Sequence, residues 1–417
     1  MRRRARLGVW LCALALAACN DGALRAEGTL EVPALTYADA DPWTRGGSAV
    51  PPPGPSGRLL VTNSLDDSVS LLDMDGLGTP GWGELARVPV GLNPVELEGP
   101  HHTAVSPAGD FYYVGISNYV PGGGSGPHGA HGTGTADGYC LKLSAKDNRL
   151  VASARVDRNP GDVIVSADGR TLYQTHFDLL RIADVARQGG PEEDMVARLA
   201  ILDAETMTVK ARVKVCPAPH AVRLSADERT AYVACWSDEV AVVDLAAEGM
   251  PVTRVKVASG SGTATNPRHQ PYALTVSPTT GDVWVSSLAS KQVQVLEPGT
   301  RTMNPERTVY LRGAPMFGAF TRDGRTLYLP YQQEDAVAVI DAATSTVSRT
   351  LPLSQAGCVN VHQFMLTPDE RHGLAVCEGD HIGPGTLHVV DLAEGTVVST
   401  VQMGLFPDSV SLLRGQP

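Results

Sequence analysis

One unit of sequence recurs along most of this chain. It consists of an alternating strand, a tight polar turn, a second strand, and a third strand that ends in aspartate. A serine or threonine begins the turn each time, at Ser106, Ser166, Ser225, Ser277, Thr321 and Thr367. The gaps between these positions are 60, 59, 52, 44 and 46 residues. The shorter gaps equal the length of a four-stranded propeller blade, so the repeat predicts an all-β array of such blades.

Counting the units gives seven blades, six of them with a full set of strands. The first unit begins with a second strand, 58–63, and its missing first strand is supplied by 408–413. Closing a ring with strands from both ends removes exposed strand edges, which would otherwise template aggregation. We therefore predict an all-β, seven-bladed β-propeller over residues 58–417, closed by N- and C-terminal strands in one blade.

Several of the predicted second strands have similar sequences. They read Leu60-Val61-Thr62-Asn63, Tyr232-Val233-Ala234-Cys235 and Tyr328-Leu329-Pro330-Tyr331. These strands resemble the Tyr-Val-Thr-Asn repeat of the YVTN/YncE-like β-propellers, and the resemblance covers nearly all of residues 58–417. It implies the propeller fold and leaves the function open, because this architecture hosts surface proteins, oxidoreductases, lactonases and simple binders. No Cys-x-x-Cys-His sequence for covalent haem attachment occurs.

The charge balance excludes one class of partner. The net charge is −11, from 34 Lys and Arg against 45 Asp and Glu. No basic stripe is available to neutralise phosphates, so nucleic acid is not an expected partner.

The first 57 residues predict export and anchoring. Residues 1–18 join a cationic start to an apolar stretch too short to span a bilayer, as in a signal peptide. They lead into Leu16-Ala17-Ala18-Cys19, which resembles the lipobox of bacterial lipoproteins, in which the cysteine is acylated. We expect a lipidated Cys19, a flexible Pro/Gly-rich tether over 19–57, and a location in the bacterial cell envelope, periplasmic or at the outer-membrane surface. The alternative is an ordinary secretory signal.

Four cysteines form two pairs with equal spacing. Each pair is 19 residues apart, and a histidine follows the first cysteine by four residues, giving Cys216, His220 and Cys235, then Cys358, His362 and Cys377. In an oxidising compartment we expect two disulfides, each within one blade, Cys216–Cys235 and Cys358–Cys377. The alternative is two soft metal sites of the Cys-His-Cys kind, suited to Cu(I) or zinc. The remaining Cys140 is expected to be a buried, inert thiol.

Aligning the first strands on their turns puts one residue of each blade at a common place. In chain order these residues are His101, Gly161, His220, Tyr272, Met316, His362 and Asp408. In a propeller such positions face the axial channel near its mouth. The sequence therefore predicts a ring of coordinating or hydrogen-bonding side chains on the axis.

Further histidines extend this ring. His102 follows His101, and His176 ends a second strand that could approach the same face. His128 and His131 lie in a Gly-rich insertion, 121–132, which we expect to fold over the channel as a lid. The sequence Pro100-His101-His102 is similar to the paired histidines of the nitrous oxide reductase propeller, and this resemblance implies copper binding alone. The alternative is a set of imidazoles that bond each other, water and carbonyls around a wet channel.

Two functions follow as hypotheses. The first is an envelope-anchored lipoprotein that acts as a binding or scaffold module through its axial channel face. Its partners would be the bacterial membrane, through the lipid anchor, and an envelope protein. The channel mouth would be formed by Tyr272, Met316, Asp408, His128 and His131. The alternative is a copper-binding or metal-dependent redox protein that uses His101, His102, His176, His220 and His362. For hydrolytic chemistry Asp408 and Asp162 are available, but nothing in their spacing selects them, so no catalytic residue is assigned.

Overall fold

The computed structural model describes residues 35–36, 50–91, 98–118 and 132–415. Residues 34–417 form one unit, and most of its regular structure is β-strand. In chain order the strands are β1 Leu35–Thr36, β2 Arg58–Asn63, β3 Ser68–Asp73, β4 Ala86–Pro89, β5 Glu98–Val105, β6 Phe111–Asn118, β7 Asp137–Ser144, β8 Leu150–Arg158, β9 Pro160–Val165, β10 Thr171–His176, β11 Val196–Asp203, β12 Val209–Pro217, β13 Pro219–Leu224, β14 Thr230–Cys235, β15 Glu239–Asp244, β16 Val252–Lys256, β17 Pro271–Val276, β18 Val283–Ser287, β19 Gln292–Glu297, β20 Thr302–Tyr310, β21 Ala319–Phe320, β22 Thr326–Tyr331, β23 Ala336–Asp341, β24 Thr346–Pro352, β25 Val361–Leu366, β26 His372–Cys377, β27 Pro384–Asp391, β28 Thr396–Leu405 and β29 Pro407–Leu413.

These strands form seven antiparallel sheets, which are the blades. Blade 1 has the order β29-β2-β3-β4, and blades 2 to 7 run from β5, β9, β13, β17, β21 and β25 outward through the next three strands of each. The seven inner strands contact one another in a closed circle, β29 to β5, β9, β13, β17, β21, β25 and back to β29. The predicted all-β, seven-bladed propeller is confirmed.

Blade 1 closes the ring with strands from both ends of the chain. Strand β29 pairs antiparallel with β2, in a register that sets Leu59 opposite Leu412 and Val61 opposite Val410. This pairing confirms the predicted closure, because the edge of β2 that the first unit leaves unpaired is covered by the last strand of the chain.

Short helices interrupt the pattern in blade 3. Helix α1, Leu179–Arg187, and a 3₁₀ turn, Glu192–Met195, lie between β10 and β11. The carboxylate of Asp178 caps α1 by accepting a hydrogen bond from the backbone N–H of Arg181. A second 3₁₀ turn, Ser354–Ala356, precedes β25. In the described part of the chain, no helix has the length and apolarity needed to cross a membrane.

The predicted tether contains a short strand. Strand β1 pairs with β8 at the outer edge of blade 2, with Leu35 opposite Ser153 and Thr36 opposite Ala152. The structure thus differs from a featureless tether at these two residues. The predicted signal peptide, Cys19, His128 and His131 lie outside the described residues.

The core lies between neighbouring blades. Along β15, Val240 and Val242 join one apolar cluster, and Ala241 and Val243 join the cluster on the opposite face. All four are buried. A strand that is buried on both faces has an almost continuously apolar sequence. This burial explains why the strands of the repeat are rich in valine and alanine.

The recurring turn hydroxyls tie each inner hairpin together. Ser225 Oγ accepts a hydrogen bond from Thr230 N at 3.0 Å and donates one to Asp227 Oδ1 at 2.6 Å. Thr321 repeats the pattern with Thr326 N and the Asp323 carboxylate. The Ser/Thr-x-Asp signature of the repeat is therefore a turn held by its own side chains.

Both predicted disulfides form, Cys216–Cys235 and Cys358–Cys377, but their expected location within single blades was wrong. Cys216 lies near the end of β12, the outer strand of blade 3, whereas Cys235 ends β14 in blade 4. Cys358 likewise follows the outer strand of blade 6 and bonds to blade 7. A residue just before an inner strand still lies at the edge of the preceding blade, so each disulfide joins neighbouring blades.

Candidate functional site

Every inner strand carries one extra residue where it reaches the axis. In blade 2, Pro100 pairs with Ile116 and Thr103 pairs with Val114, so three steps on β5 match two on β6. The same one-residue excess occurs in the other six blades. Such a bulge lets consecutive residues share one face of a strand. In blade 2 the bulge contains His101 and His102, and both imidazoles reach the axis.

The chain approaches the axis by a repeated path. Proline precedes the axial residue in six of the seven blades, at Pro100, Pro160, Pro219, Pro271, Pro315 and Pro407. In five blades the residue two before the axial one has a positive φ between 41° and 56°, namely Asn159, Ala218, Gln270, Asn360 and Phe406. Non-glycine residues adopt this conformation only at a cost, and such strain concentrates at functional sites.

Four imidazoles meet on the axis. The ring centroid of His101 lies 4.4 Å from that of His102, 5.1 Å from that of His220 and 6.2 Å from that of His362. All four side chains are at most 4% exposed. For His101, His102 and His220, one nitrogen of each ring lies within 4.8 Å of one nitrogen of each other ring. We call these three residues the axial triad.

Each member of the axial triad has its Nδ1 directed to an oxygen. His101 Nδ1 contacts Asp408 Oδ2, His102 Nδ1 lies 3.4 Å from Asp162 Oδ1, and His220 Nδ1 lies 3.1 Å from the carbonyl oxygen of Tyr272. Histidines that bind metals characteristically donate their second nitrogen to a carboxylate or carbonyl in this way, which orients the ring. A metal held by the triad would therefore be bound through the Nε2 atoms.

The Nε2 atoms face one another. His101 Nε2 lies 2.9 Å from His220 Nε2. His102 Nε2 is buried and makes no hydrogen bond to any group in the described part of the chain. A buried nitrogen without a partner costs free energy, which a bound water or ion would offset.

The contact between His101 Nε2 and His220 Nε2 brings two ring nitrogens together. Their Nδ1 atoms lie against a carboxylate and a carbonyl, which can only accept hydrogen bonds. With hydrogen on both Nδ1 atoms, the two Nε2 lone pairs need a proton or another cation beside them.

His362 supports the triad from outside. Its Nδ1 lies 2.6 Å from the backbone carbonyl oxygen of Asp408 and 2.8 Å from Asp408 Oδ1, and its Nε2 lies 3.4 Å from the Tyr272 hydroxyl. Burial opposes the charged imidazole, but the Asp408 carboxylate outweighs it and raises the pKa of His362 to about 9. Conversely, His101 and His362 hold the pKa of Asp408 well below its usual range despite burial. His362 is therefore a cation that fixes Asp408 against His101.

His102 is held in the neutral state, opposite to the charged state of His362. Burial, reinforced by neighbouring His101, keeps the pKa of His102 well below its usual value. Its ring is neutral at physiological pH, which is the form of imidazole that binds metals.

Aromatic rings wall off the triad. Tyr272 stacks on His220 with centroids 3.5 Å apart, and Phe177 meets the same ring edge-on at 4.9 Å. Phe317 lies 4.8 Å from His102. Met316 is fully buried in the same apolar cluster as Tyr272 and Phe317. The triad is buried, and electrostatic interactions are stronger in a buried site than in water.

An accessible channel mouth is not what the structure shows at these positions. All seven axial residues are buried, including Tyr272, Met316 and Asp408. In blades 2 and 3 a second residue, His102 and Asp162, joins the axial residues.

His176 does not join the axial imidazoles. Its Nδ1 lies 2.7 Å from the carbonyl oxygen of Arg198, and its Nε2 accepts a hydrogen bond from Asp157 N at 3.2 Å. The two nitrogens bind backbone groups of β8 in blade 2 and β11 in blade 3, so this ring has a structural role between neighbouring blades. Nor do His220 and His362 sit beside the cysteine pairs as the Cys-His-Cys alternative required, because both rings point to the axis.

Asp162 has a role that the sequence gave no reason to select. Besides His102, it binds the Arg223 guanidinium and accepts a hydrogen bond from Val222 N at 3.2 Å. The repeated proline before the axial residue is the signal that could have identified this second residue, since Asp162 follows Pro160 at the same spacing as His102 follows Pro100.

No protein-family model matches the chain, and no curated protein sequence matches it. Among solved structures, a functionally unknown protein from Desulfotomaculum acetoxidans aligns with 86% of this chain and 100% of its own, at 12% identity and a TM-score of 0.62. The periplasmic gluconolactonase PpgL of Pseudomonas aeruginosa covers 85% and 98%, at 18% identity and a TM-score of 0.59. The dihydro-heme d1 dehydrogenase NirN covers 91% and 80%, at 16% identity and a TM-score of 0.54. At these identities the likeness shows the propeller fold alone.

Proposed function

We propose that this protein binds a single copper ion on the propeller axis through His101, His102 and His220. The observation that carries the proposal is the arrangement of the triad, in which each Nδ1 lies against an oxygen, His101 Nε2 meets His220 Nε2, and His102 Nε2 is buried without a hydrogen bond in the described structure. Three preoriented, buried imidazoles are a ligand set suited to copper or zinc.

The charge balance favours Cu(I). Around the triad, Asp408 and Asp162 supply two negative charges, and His362 and Arg223 supply two positive ones. A monovalent ion that replaces the proton shared by His101 and His220 leaves the net charge of the buried site unchanged. A divalent ion adds one uncompensated buried charge, which is costly.

Burial favours an ion over a macromolecular partner. A scaffold or binding surface needs side chains that a partner can touch, whereas the axial triad and its supports are at most 4% exposed. The copper hypothesis therefore takes precedence over the binding or scaffold module.

We further propose that the protein is a YVTN/YncE-like lipoprotein held in the bacterial envelope by acylated Cys19. The leader pattern of residues 1–19 supports export. The two disulfides support an oxidising compartment, since disulfides are rare in the cytosol. Processing is tested by mass spectrometry of the protein purified from membranes, where a mature chain beginning at an acylated Cys19 is expected.

Copper binding is tested on protein purified without chelators, by elemental analysis and by competition with a chromophoric Cu(I) chelator. We expect one copper per chain. His102→Gln should weaken Cu(I) affinity more than about 100-fold, because loss of a ligand should exceed the roughly 10- to 100-fold that loss of a supporting group costs. His102 is the informative position because its Nε2 has no structural hydrogen bond to lose.

The matched control is His372→Gln. His372 is partly exposed at the turn end of β26, so this variant should bind copper as the parent does. A parent protein that neither carries nor takes up copper would contradict the proposal, as would equal affinities for the parent and His102→Gln.

A further inference from the structure

The two disulfides have the same spacing but differ at one buried position. In blade 7, Cys377 pairs with Thr386 across β26 and β27, and His388 follows two residues later, opposite Ala375. In blade 4, Ala241 holds the place of His388, because it lies two residues beyond the partner of Cys235. Residues two apart on a strand share a face, so His388 lies on the same side of its sheet as Cys377.

His388 is close enough to act with both cysteines. One nitrogen of its ring and the sulfurs of Cys358 and Cys377 lie within 4.8 Å of one another. All three side chains are at most 2% exposed. The ring nitrogens bond only to two hydroxyls, Thr386 Oγ1 at 2.8 Å and Thr400 Oγ1 at 2.9 Å. Hydroxyls can turn away, so either nitrogen can be released.

The imidazole is a costly choice for this position. Ala241 fills the corresponding place in blade 4 without a polar group, whereas a buried imidazole must be desolvated and hydrogen-bonded. Burial lowers the pKa of His388 to about 4, so the ring is neutral and its lone pair is available at physiological pH.

We propose that the Cys358–Cys377 disulfide masks a second metal site, which binds a soft cation through Cys358, Cys377 and His388 once the disulfide is reduced. A dithiol reductant supplies two electrons and two protons, breaks the S–S bond and leaves as its own disulfide. The two cysteine thiols then lose their protons to solvent as their sulfurs bind the cation. The site is independent of the copper proposal, since it shares no residue with the axial triad.

The experiment uses the intact protein, reduced with a dithiol and titrated with Co²⁺ as the probe. Thiolate ligands give cobalt a sulfur-to-metal charge-transfer absorption that histidine ligands alone cannot give. The charge-transfer absorption therefore reports cobalt bound by thiolates and does not report cobalt bound by the axial triad. We expect this absorption at one cobalt per chain in the reduced protein and its absence before reduction. Zn²⁺ should displace the cobalt, since thiolate and imidazole ligands suit zinc.

The matched pair of disulfides provides the controls. Cys216→Ser with Cys235→Ser should keep the signal, Cys358→Ser with Cys377→Ser should abolish it, and His388→Ala should weaken cobalt affinity at least about tenfold through loss of one of three ligands. Circular dichroism checks that each reduced protein stays folded. The proposal is overturned if the folded reduced parent shows no such absorption, if the signal follows the Cys216–Cys235 pair, if His388→Ala binds as tightly as the parent, or if reduction itself unfolds the chain.

Discussion

At the scale of single residues, the state of the axial site depends on which nitrogen of each ring is engaged. His102 and His362 are both buried, yet their pKa values shift in opposite directions. The difference comes from geometry. His362 touches the Asp408 carboxylate directly, whereas His102 lies beside another imidazole and reaches Asp162 only at 3.4 Å. Two histidines of similar burial therefore become a neutral imidazole and a fixed cation.

The raised pKa of His362 predicts a pH dependence of stability. Between the usual value of 6.5 and about 9, the folded protein holds a proton on His362 that the unfolded chain has released. The contribution is therefore complete below pH 6.5 and is lost as the pH rises through 9. We expect the free energy of unfolding of metal-free protein to fall by up to about 3 kcal/mol across this range.

Urea denaturation at several pH values measures this decline. His362→Gln removes the titrating group, so its stability should be lower near neutral pH but nearly flat between pH 6.5 and 9. A decline of equal size in this variant would assign the effect to other groups.

At the scale of the element, the inner hairpin is the unit that repeats. Its turn hydroxyl bonds the backbone five residues on, and its bulge delivers two consecutive residues to the axis. The sequence revealed the turn because serine or threonine recurs there once in each repeat unit. It did not reveal the bulge, because an extra residue in one strand is defined only by the register of the strand beside it.

Removing one turn hydroxyl tests the role assigned to it. Ser225→Ala should lower the free energy of unfolding by about 1 kcal/mol, through loss of the bonds to Thr230 N and Asp227. Ser225→Thr should remain close to the parent, because Thr321 makes the same bonds in blade 6. Denaturant titration measures both, and equal stability of the alanine variant would refute the assignment.

At the scale of the whole molecule, closure couples the two ends of the chain to the axis. Strand β29 completes blade 1, and the same strand carries Asp408 to His101 and His362. The seven residues of β29 thus cover the edge of β2 and also supply the carboxylate that contacts His101 and His362.

Deleting residues 407–417 should therefore remove cooperative unfolding and cause aggregation, since β2 would present an open edge. Within the described structure, the matched deletion of residues 1–49 removes the two-residue strand β1. It should change the melting temperature by no more than about 2 °C, because few contacts are lost. Thermal unfolding and gel filtration compare the two, and a monomeric, cooperatively melting C-terminal deletion would contradict the role of closure.

The sequence by itself determined the number of blades, the closure of the ring and the pairing of four cysteines, because each depends on a period or spacing that repeats along the chain. It also identified one residue per blade that reaches the axis. Only the tertiary structure decided that the axial residues are buried, that Asp162 contacts them while His176 does not, and that the disulfides join neighbouring blades. These outcomes depend on strand register and on contacts between residues as far apart as His101 and Asp408, which no local pattern encodes.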